Sequence, residues 1–214
     1  MKLSKYAALI GVTGGLLGGW LSQPRPVQAL TTQATVKLTR KAEIAPVAPV
    51  EKLPDKINTT GSKGNLTIDA VSDLKYQTQV IDQAITLAPT STAIAVQVSD
   101  RRAQPDGWEL TVQPSGLRQG SHELQSQLDW PTTGDLKTVA TNVSRPPQQV
   151  SPGKLLNQRA NPLLAAKAGQ GIETWALVMT TKTDPVTLQL PAQKLVAGHY
   201  RGTLTWKLVS APTN

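Results

Sequence analysis

The sequence predicts an all-β fold, an antiparallel two-sheet sandwich with an immunoglobulin-like topology as one possible arrangement, and three observations carry that expectation. Short segments alternate apolar and polar residues with period 2 from Gly64 to residue 209, and each segment is bounded by Gly, Pro, Asp or Asn. The third observation is that no long stretch holds a helical period. At 214 residues the chain has room for one well-buried core with flanking segments, so one folded domain is expected.

Composition narrows the class further. With 39% hydrophobic and 17% charged residues and a mean hydropathy of −0.22, the chain is neither disordered by composition nor an integral membrane protein along most of its length. Phe and Cys are both absent, so the large core residues must come from five Trp, three Tyr and the aliphatics. No disulfide and no thiolate metal site is available, and stability must come from packing.

Taken in chain order, residues 1–29 read as a signal peptide. Lys2 and Lys5 form a basic start, an apolar stretch runs from Tyr6 to Leu21, and Val27-Gln28-Ala29 makes a small-residue cleavage site. Gly14, Gly15, Gly18 and Gly19 weaken the competing reading as a permanent membrane helix, so no integral membrane segment is expected after cleavage. Cleavage removes Lys2, Lys5 and Arg25 and no acidic residue, which lowers the formal net charge of +8 by three and leaves a mildly basic chain. That charge attracts polyanions loosely and identifies none of them, and no nucleic-acid partner is expected. The tail Ala211-Pro212-Thr213-Asn214 offers neither a sorting motif nor an apolar stop, and with no lipobox cysteine any surface attachment is expected to be non-covalent.

Residues 30–63 are rich in Thr, Pro, Ala and Lys around Ala45-Pro46-Val47-Ala48-Pro49-Val50, the composition of an extended linker. The β domain is expected over residues 64–214. Ile94, Val96 and Val98 alternate with Ala95, Gln97 and Ser99, and Trp108, Leu110 and Val112 with Glu109, Thr111 and Gln113. Farther on, Trp175, Leu177 and Met179 share one strand face, Val186, Leu188 and Leu190 another, and Leu204, Trp206 and Leu208 the last. Two stretches break the rhythm. Residues 144–152, with Pro146, Pro147 and Pro152, read as loop, and residues 154–168, interrupted by Asn161-Pro162, read as a helical turn or two at most.

Two motifs then carry a resemblance. Val98-Ser99-Asp100-Arg101-Arg102 followed by Gly107-Trp108-Glu109-Leu110-Thr111-Val112 resembles the first signature of the WxL domain. Gly198-His199-Tyr200-Arg201-Gly202-Thr203-Leu204-Thr205-Trp206-Lys207-Leu208, ending in Ala211-Pro212, resembles its closing motif. Gly64-Asn65-Leu66-Thr67-Ile68, Ala168-Gly169-Gln170-Gly171 with Trp175, and Val186-Thr187-Leu188-Gln189-Leu190-Pro191 also match in order. Tyr76 departs, standing where such domains often carry Phe. The resemblance implies a secreted protein of the Gram-positive cell wall or cell surface, which binds peptidoglycan or another wall polymer without a covalent anchor. It also implies action alongside other surface proteins of the same gene cluster.

Each motif residue has two readings. The indoles of Trp108 and Trp206 suit stacking on sugar rings, yet each Trp shares a strand face with its Leu, Leu110 or Leu208, and alternation assigns that face to the interior. Asp100, Arg101 and Arg102 suit contacts to a muropeptide carboxylate or amide, or else Asp100 and Arg102 form a local pair that fixes a turn. Trp130, beside Pro131 at a strand end, is expected to be exposed and is the sugar-stacking candidate outside the motifs. Catalysis finds little support. His122 and His199 lack metal-ligand spacing, the carboxylates are scattered singly, and no cofactor is expected. The alternative function is a protein–protein module that docks a partner surface protein or a host matrix ligand.

Overall fold

The computed structural model describes residues 45–52, 57–77, 83–131, 133–150, 153–155, 157–180, 184–194 and 196–210. The expected signal peptide and the first part of the linker lie outside the described residues. Among those residues there is no helix, and fifteen strands form. In order they are β1 (Ile57–Thr59), β2 (Leu66–Ser72), β3 (Ile85–Leu87), β4 (Ala93–Asp100) and β5 (Gly107–Pro114). Then come β6 (Leu117–Gln119), β7 (His122–Leu124), β8 (Gln127–Asp129), β9 (Asp135–Thr138) and β10 (Gln148–Gln149). The last five are β11 (Lys154–Leu155), β12 (Asn161–Lys167), β13 (Glu173–Thr180), β14 (Thr187–Leu190) and β15 (Leu204–Ser210).

The all-β, sandwich-like class is as the sequence predicts, but the strands divide into three larger antiparallel sheets and a hairpin. Strand order is β1-β2-β4-β13-β9 in the first sheet, β10-β12-β5-β15 in the second and β11-β8-β14-β3 in the third, with β6-β7 apart. The alternating residues of the sequence meet in one core. Ile94, Val96, Val98, Leu177 and Met179 come from the first sheet, Trp108, Leu110, Val112, Leu163, Leu164 and Ala166 from the second, and Leu128, Leu155, Leu188 and Leu190 from the third. Each such aliphatic side chain contributes roughly 1.5–3 kcal/mol on full burial, which is how a chain without Phe or Cys holds together.

Three local expectations are corrected. Residues 154–168 contain no helical turn among those described, because Lys154–Leu155 and Asn161–Lys167 are strands β11 and β12. A register shift between Pro162 and Leu164 marks a bulge that points both Leu163 and Leu164 inward, so the period-2 signal disappears from the sequence there. Within the proline-rich stretch 144–152, Gln148–Gln149 forms the short edge strand β10 beside β12.

The folded unit also begins before Gly64. Strand β1 pairs with β2 through Ile57↔Ser72, Asn58↔Val71 and Thr59↔Ala70. All eight residues of β4 are buried, so the first sheet is covered on both faces. Its second face carries the small apolar residues Ala93, Ala95, Ala176 and Val178, against which Val50 and Ile57 pack. Beside them lies a buried polar group in which the Asp69 carboxylate accepts from Thr67 Oγ1 at 2.7 Å, Ser99 Oγ at 2.6 Å and Gln97 Nε2 at 3.2 Å. The Gln97 amide clasps the chain above it, accepting from Val50 N–H at 2.8 Å and donating to the Ala48 carbonyl at 3.1 Å. A proline-rich segment reads as spacer because it lacks large apolar residues, yet here small side chains, Gln97 and a hydrogen bond from Arg101 to the Ala45 carbonyl seat it.

Candidate functional site

The two Trp-x-Leu motifs lie on neighbouring strands. In the β5–β15 ladder Leu110 stands opposite Leu208, Val112 opposite Trp206 and Trp108 opposite Ser210. Directly paired residues share a sheet face, so all four motif residues face the core. Trp108 and Leu110 are fully buried, and Trp206 and Leu208, on the edge strand, are half-buried against the same core.

Trp108 is held by two glycines. Its Nε1–H donates to the Gly171 carbonyl at 3.1 Å, satisfying the one polar atom of the ring inside the core. Gly171 has φ +61°, and a Cβ there would come within 2.9 Å of the indole. Gly107, with φ +92°, leaves no room for a Cβ because the Ala166 carbonyl oxygen would lie 2.3 Å away. Both backbone conformation and close approach therefore require glycine, which gives Gly107-Trp108 and Gly169-Gln170-Gly171 their place in the pattern.

Asp100 and Arg102 form the local pair, not an open ligand site. The guanidinium meets the carboxylate through Nε at 2.9 Å and Nη2 at 2.8 Å, and the Arg102 backbone N–H donates to the same carboxylate at 3.1 Å. Asp100 is wholly buried. The hydrogen bond and charge of Asp100, with the charge of Asp106, push the Arg102 pKa up against an opposing burial effect and keep it cationic. Arg102 also donates to the Gly107 carbonyl at 2.7 Å and to Ser210 Oγ. One side chain thus fastens the start of β5 to the end of β15, tying the first motif to the second. The neighbouring Arg101 bonds the carbonyls of Ala45 and Gly64, both at 3.2 Å.

Trp130 is not exposed. Only 6% of it is accessible, and its ring meets Trp206 edge-on at a centroid distance of 6.2 Å and 70° between planes. The neighbouring proline marks a strand end, but the partner ring arrives from 76 residues away in sequence, which no local signal reveals.

Comparison with known families finds a match to the model described as "WxL domain surface cell wall-binding" over residues 25–212. The chain belongs to the WxL family. Membership makes it a surface protein that binds the cell wall. No curated protein and no solved structure matches it. Among the described residues no helix is long and apolar enough to cross a membrane, and no three His, Asp or Glu side chains gather to hold a metal ion.

Trp108 and Leu110 are thus spent on the core, whereas Trp206 and Leu208 keep part of their surface accessible. Two open clefts are available. The smaller, about 390 Å³, lies beside the β5–β15 pair and carries Arg118 and Arg201. Arg118 is already paired with Glu123 at 2.5 Å. The larger, about 700 Å³, lies on the third sheet and is lined by Thr86, Gln127, Asp129, Lys154 and Gln189, with Gln125 and Asn157 at its margin. These residues are the ones sequence reasoning passed over. The available signal was the polar half of the alternation, Gln127 and Asp129 about Leu128 and Thr187 and Gln189 about Leu188.

Proposed function

We propose that this WxL protein is exported and attaches non-covalently to the Gram-positive wall by binding peptidoglycan, as a binding module and not an enzyme. The family match over residues 25–212 carries wall binding itself. The finer reading is supported by the larger cleft, whose polar side chains are mostly neutral amides and hydroxyls, with one acidic and one basic group. Neutral donors and acceptors suit an amide- and hydroxyl-rich glycopeptide, whereas a phosphate polymer calls for several convergent cations. Arrangement alongside other surface proteins of its gene cluster is part of the same proposal.

Co-sedimentation with intact walls and with walls stripped of protein and teichoic acid, across a salt series, tests it. Retention on bare peptidoglycan at high salt is expected. Loss on stripping would transfer the function to a protein partner or an anionic polymer, and loss with salt alone to general charge attraction.

A further inference from the structure

We propose that the polar face of the third sheet is a saccharide site that recognises the acetamido and hydroxyl groups of N-acetylated hexosamine units, with Asp129 as its central acceptor; this rests on the peptidoglycan reading above. The face is preorganised. Thr86 Oγ1 donates to Gln189 Oε1 at 2.5 Å, and Gln189 Nε2 donates to Asp129 Oδ2 at 3.0 Å, so a hydrogen-bonded row crosses β3, β14 and β8 and fixes the amide and the carboxylate. Asp129 is left half satisfied. Its Oδ1 is enclosed by protein and has no hydrogen-bond partner. A buried acceptor without a donor costs about 1–3 kcal/mol, a cost that a ligand N–H or O–H relieves once the side chains enclosing Oδ1 move aside to admit it.

The surroundings define the ligand. Gln127 lies two residues away on the same face of β8, and Lys154 stands directly opposite Asp129 across the β8–β11 ladder. The rim is held rigid, since the Gln193 amide clasps both backbone groups of Gln125, at 2.9 and 2.8 Å, and Asn157 Nδ2 donates to the Ser126 carbonyl at 2.8 Å. The partly buried Ile85 and the exposed Pro191 add apolar surface for sugar C–H faces and acetyl methyl groups. At about 700 Å³ the cleft lies within the roughly 300–1,000 Å³ of ligand-sized sites. One cation and one carboxylate make it a poor match to a polyphosphate, and paired amides suit neutral acetamido groups.

The test is titration of the full chain with a soluble N-acetylglucosamine tetramer and, as control, its deacetylated counterpart, followed by side-chain amide NMR shifts and calorimetry. Shifts at the Gln127 and Gln189 amides with the acetylated tetramer alone are expected. Asp129→Ala and Gln127→Ala should each weaken that binding by about tenfold, the equivalent of one or two lost hydrogen bonds, and lower retention on bare peptidoglycan in parallel. Gln127→Ala removes no hydrogen bond of the folded chain, so its melting temperature should equal that of the parent. The proposal is overturned if shifts map outside the cleft, if the deacetylated tetramer binds equally well, or if folded Gln127→Ala and Asp129→Ala bind as the parent does. If the parent still sediments with bare peptidoglycan in those cases, peptidoglycan binding stands and only the location fails. Absence of sedimentation by the parent overturns the underlying reading as well.

Discussion

The two Trp-x-Leu motifs are the same three-residue pattern on adjacent strands, and the fold treats them unequally. Strand β5 is flanked by β12 and β15, so Trp108 and Leu110 are enclosed, at 1% and 0% accessibility. Strand β15 is the edge of the same sheet, and its Trp206 and Leu208 are half-buried. A third tripeptide, Trp175-Ala176-Leu177 on β13, is buried in the first sheet, and its indole bonds the nearby Ile172 carbonyl at 2.9 Å. The comparison teaches that the pattern specifies a strand face directed inward, whereas the depth of burial is set by strand position in the sheet. The tryptophans that mark the family thus help build the domain.

The largest effect should come from the enclosed motif. Trp108→Ala removes a ring whose shape two glycines are fitted to, and a loss of about 3–5 kcal/mol is expected in denaturant unfolding. Against a typical domain stability of roughly 5–15 kcal/mol, that brings the protein close to unfolding. A loss under about 1 kcal/mol would show that Trp108 is not the core residue described.

Next comes the fastener between the motifs. Arg102→Ala strands the buried Asp100 carboxylate and frees both the Gly107 carbonyl and Ser210, and about 3 kcal/mol should be lost. Hydrogen exchange should rise at the β5 start and the β15 end together. Exchange confined to one strand would break the link drawn between them.

Trp206→Ala should cost less, about 2 kcal/mol, because a half-buried indole gives up less apolar area, together with its edge-on contact to Trp130. Urea unfolding of the two Trp→Ala variants side by side ranks them, and equal losses would contradict the difference between central and edge strand.

The smallest effect concerns Tyr76, packed against the core with its hydroxyl donating to the Val186 carbonyl at 3.4 Å. Burial raises its pKa above the ordinary value of 10.0. The folded state therefore favours the neutral phenol, so its contribution is complete below pH 10 and is lost as alkaline pH ionises the unfolded chain. Tyr76→Phe should flatten that alkaline decline while changing neutral-pH stability little. An unchanged decline would exclude Tyr76 as its source.

Much of this architecture was legible because period 2 reports directly which strand face is apolar. Strands β4, β5, β13, β14 and β15 and the inward placement of Trp108, Leu110, Trp206 and Leu208 follow from it. Four features were not legible, each for a physical reason. The bulge at Leu163 cancels alternation in β12, and the Ala-Pro-Val segment docks through Gln97, Arg101 and small residues that carry no hydrophobic signal. Trp130 is buried by a ring supplied from the far end of the chain. The cleft on the third sheet stayed hidden because polar residues on a strand face resemble any solvated surface until the tertiary fold aligns Gln127, Gln189 and Thr86 on three neighbouring strands.

The most direct test of the central claim is retention of folded Trp206→Ala on bare peptidoglycan, measured beside the parent protein with its fold checked by near-ultraviolet circular dichroism. Trp206 is the decisive motif residue, since it is the more accessible indole of the pair. If the motifs build the domain, the variant melts earlier yet is retained within about twofold of the parent, a free-energy difference of about 0.4 kcal/mol. Retention lost in a protein whose fold and melting are unchanged would contradict the account and return the wall contact to the motif itself.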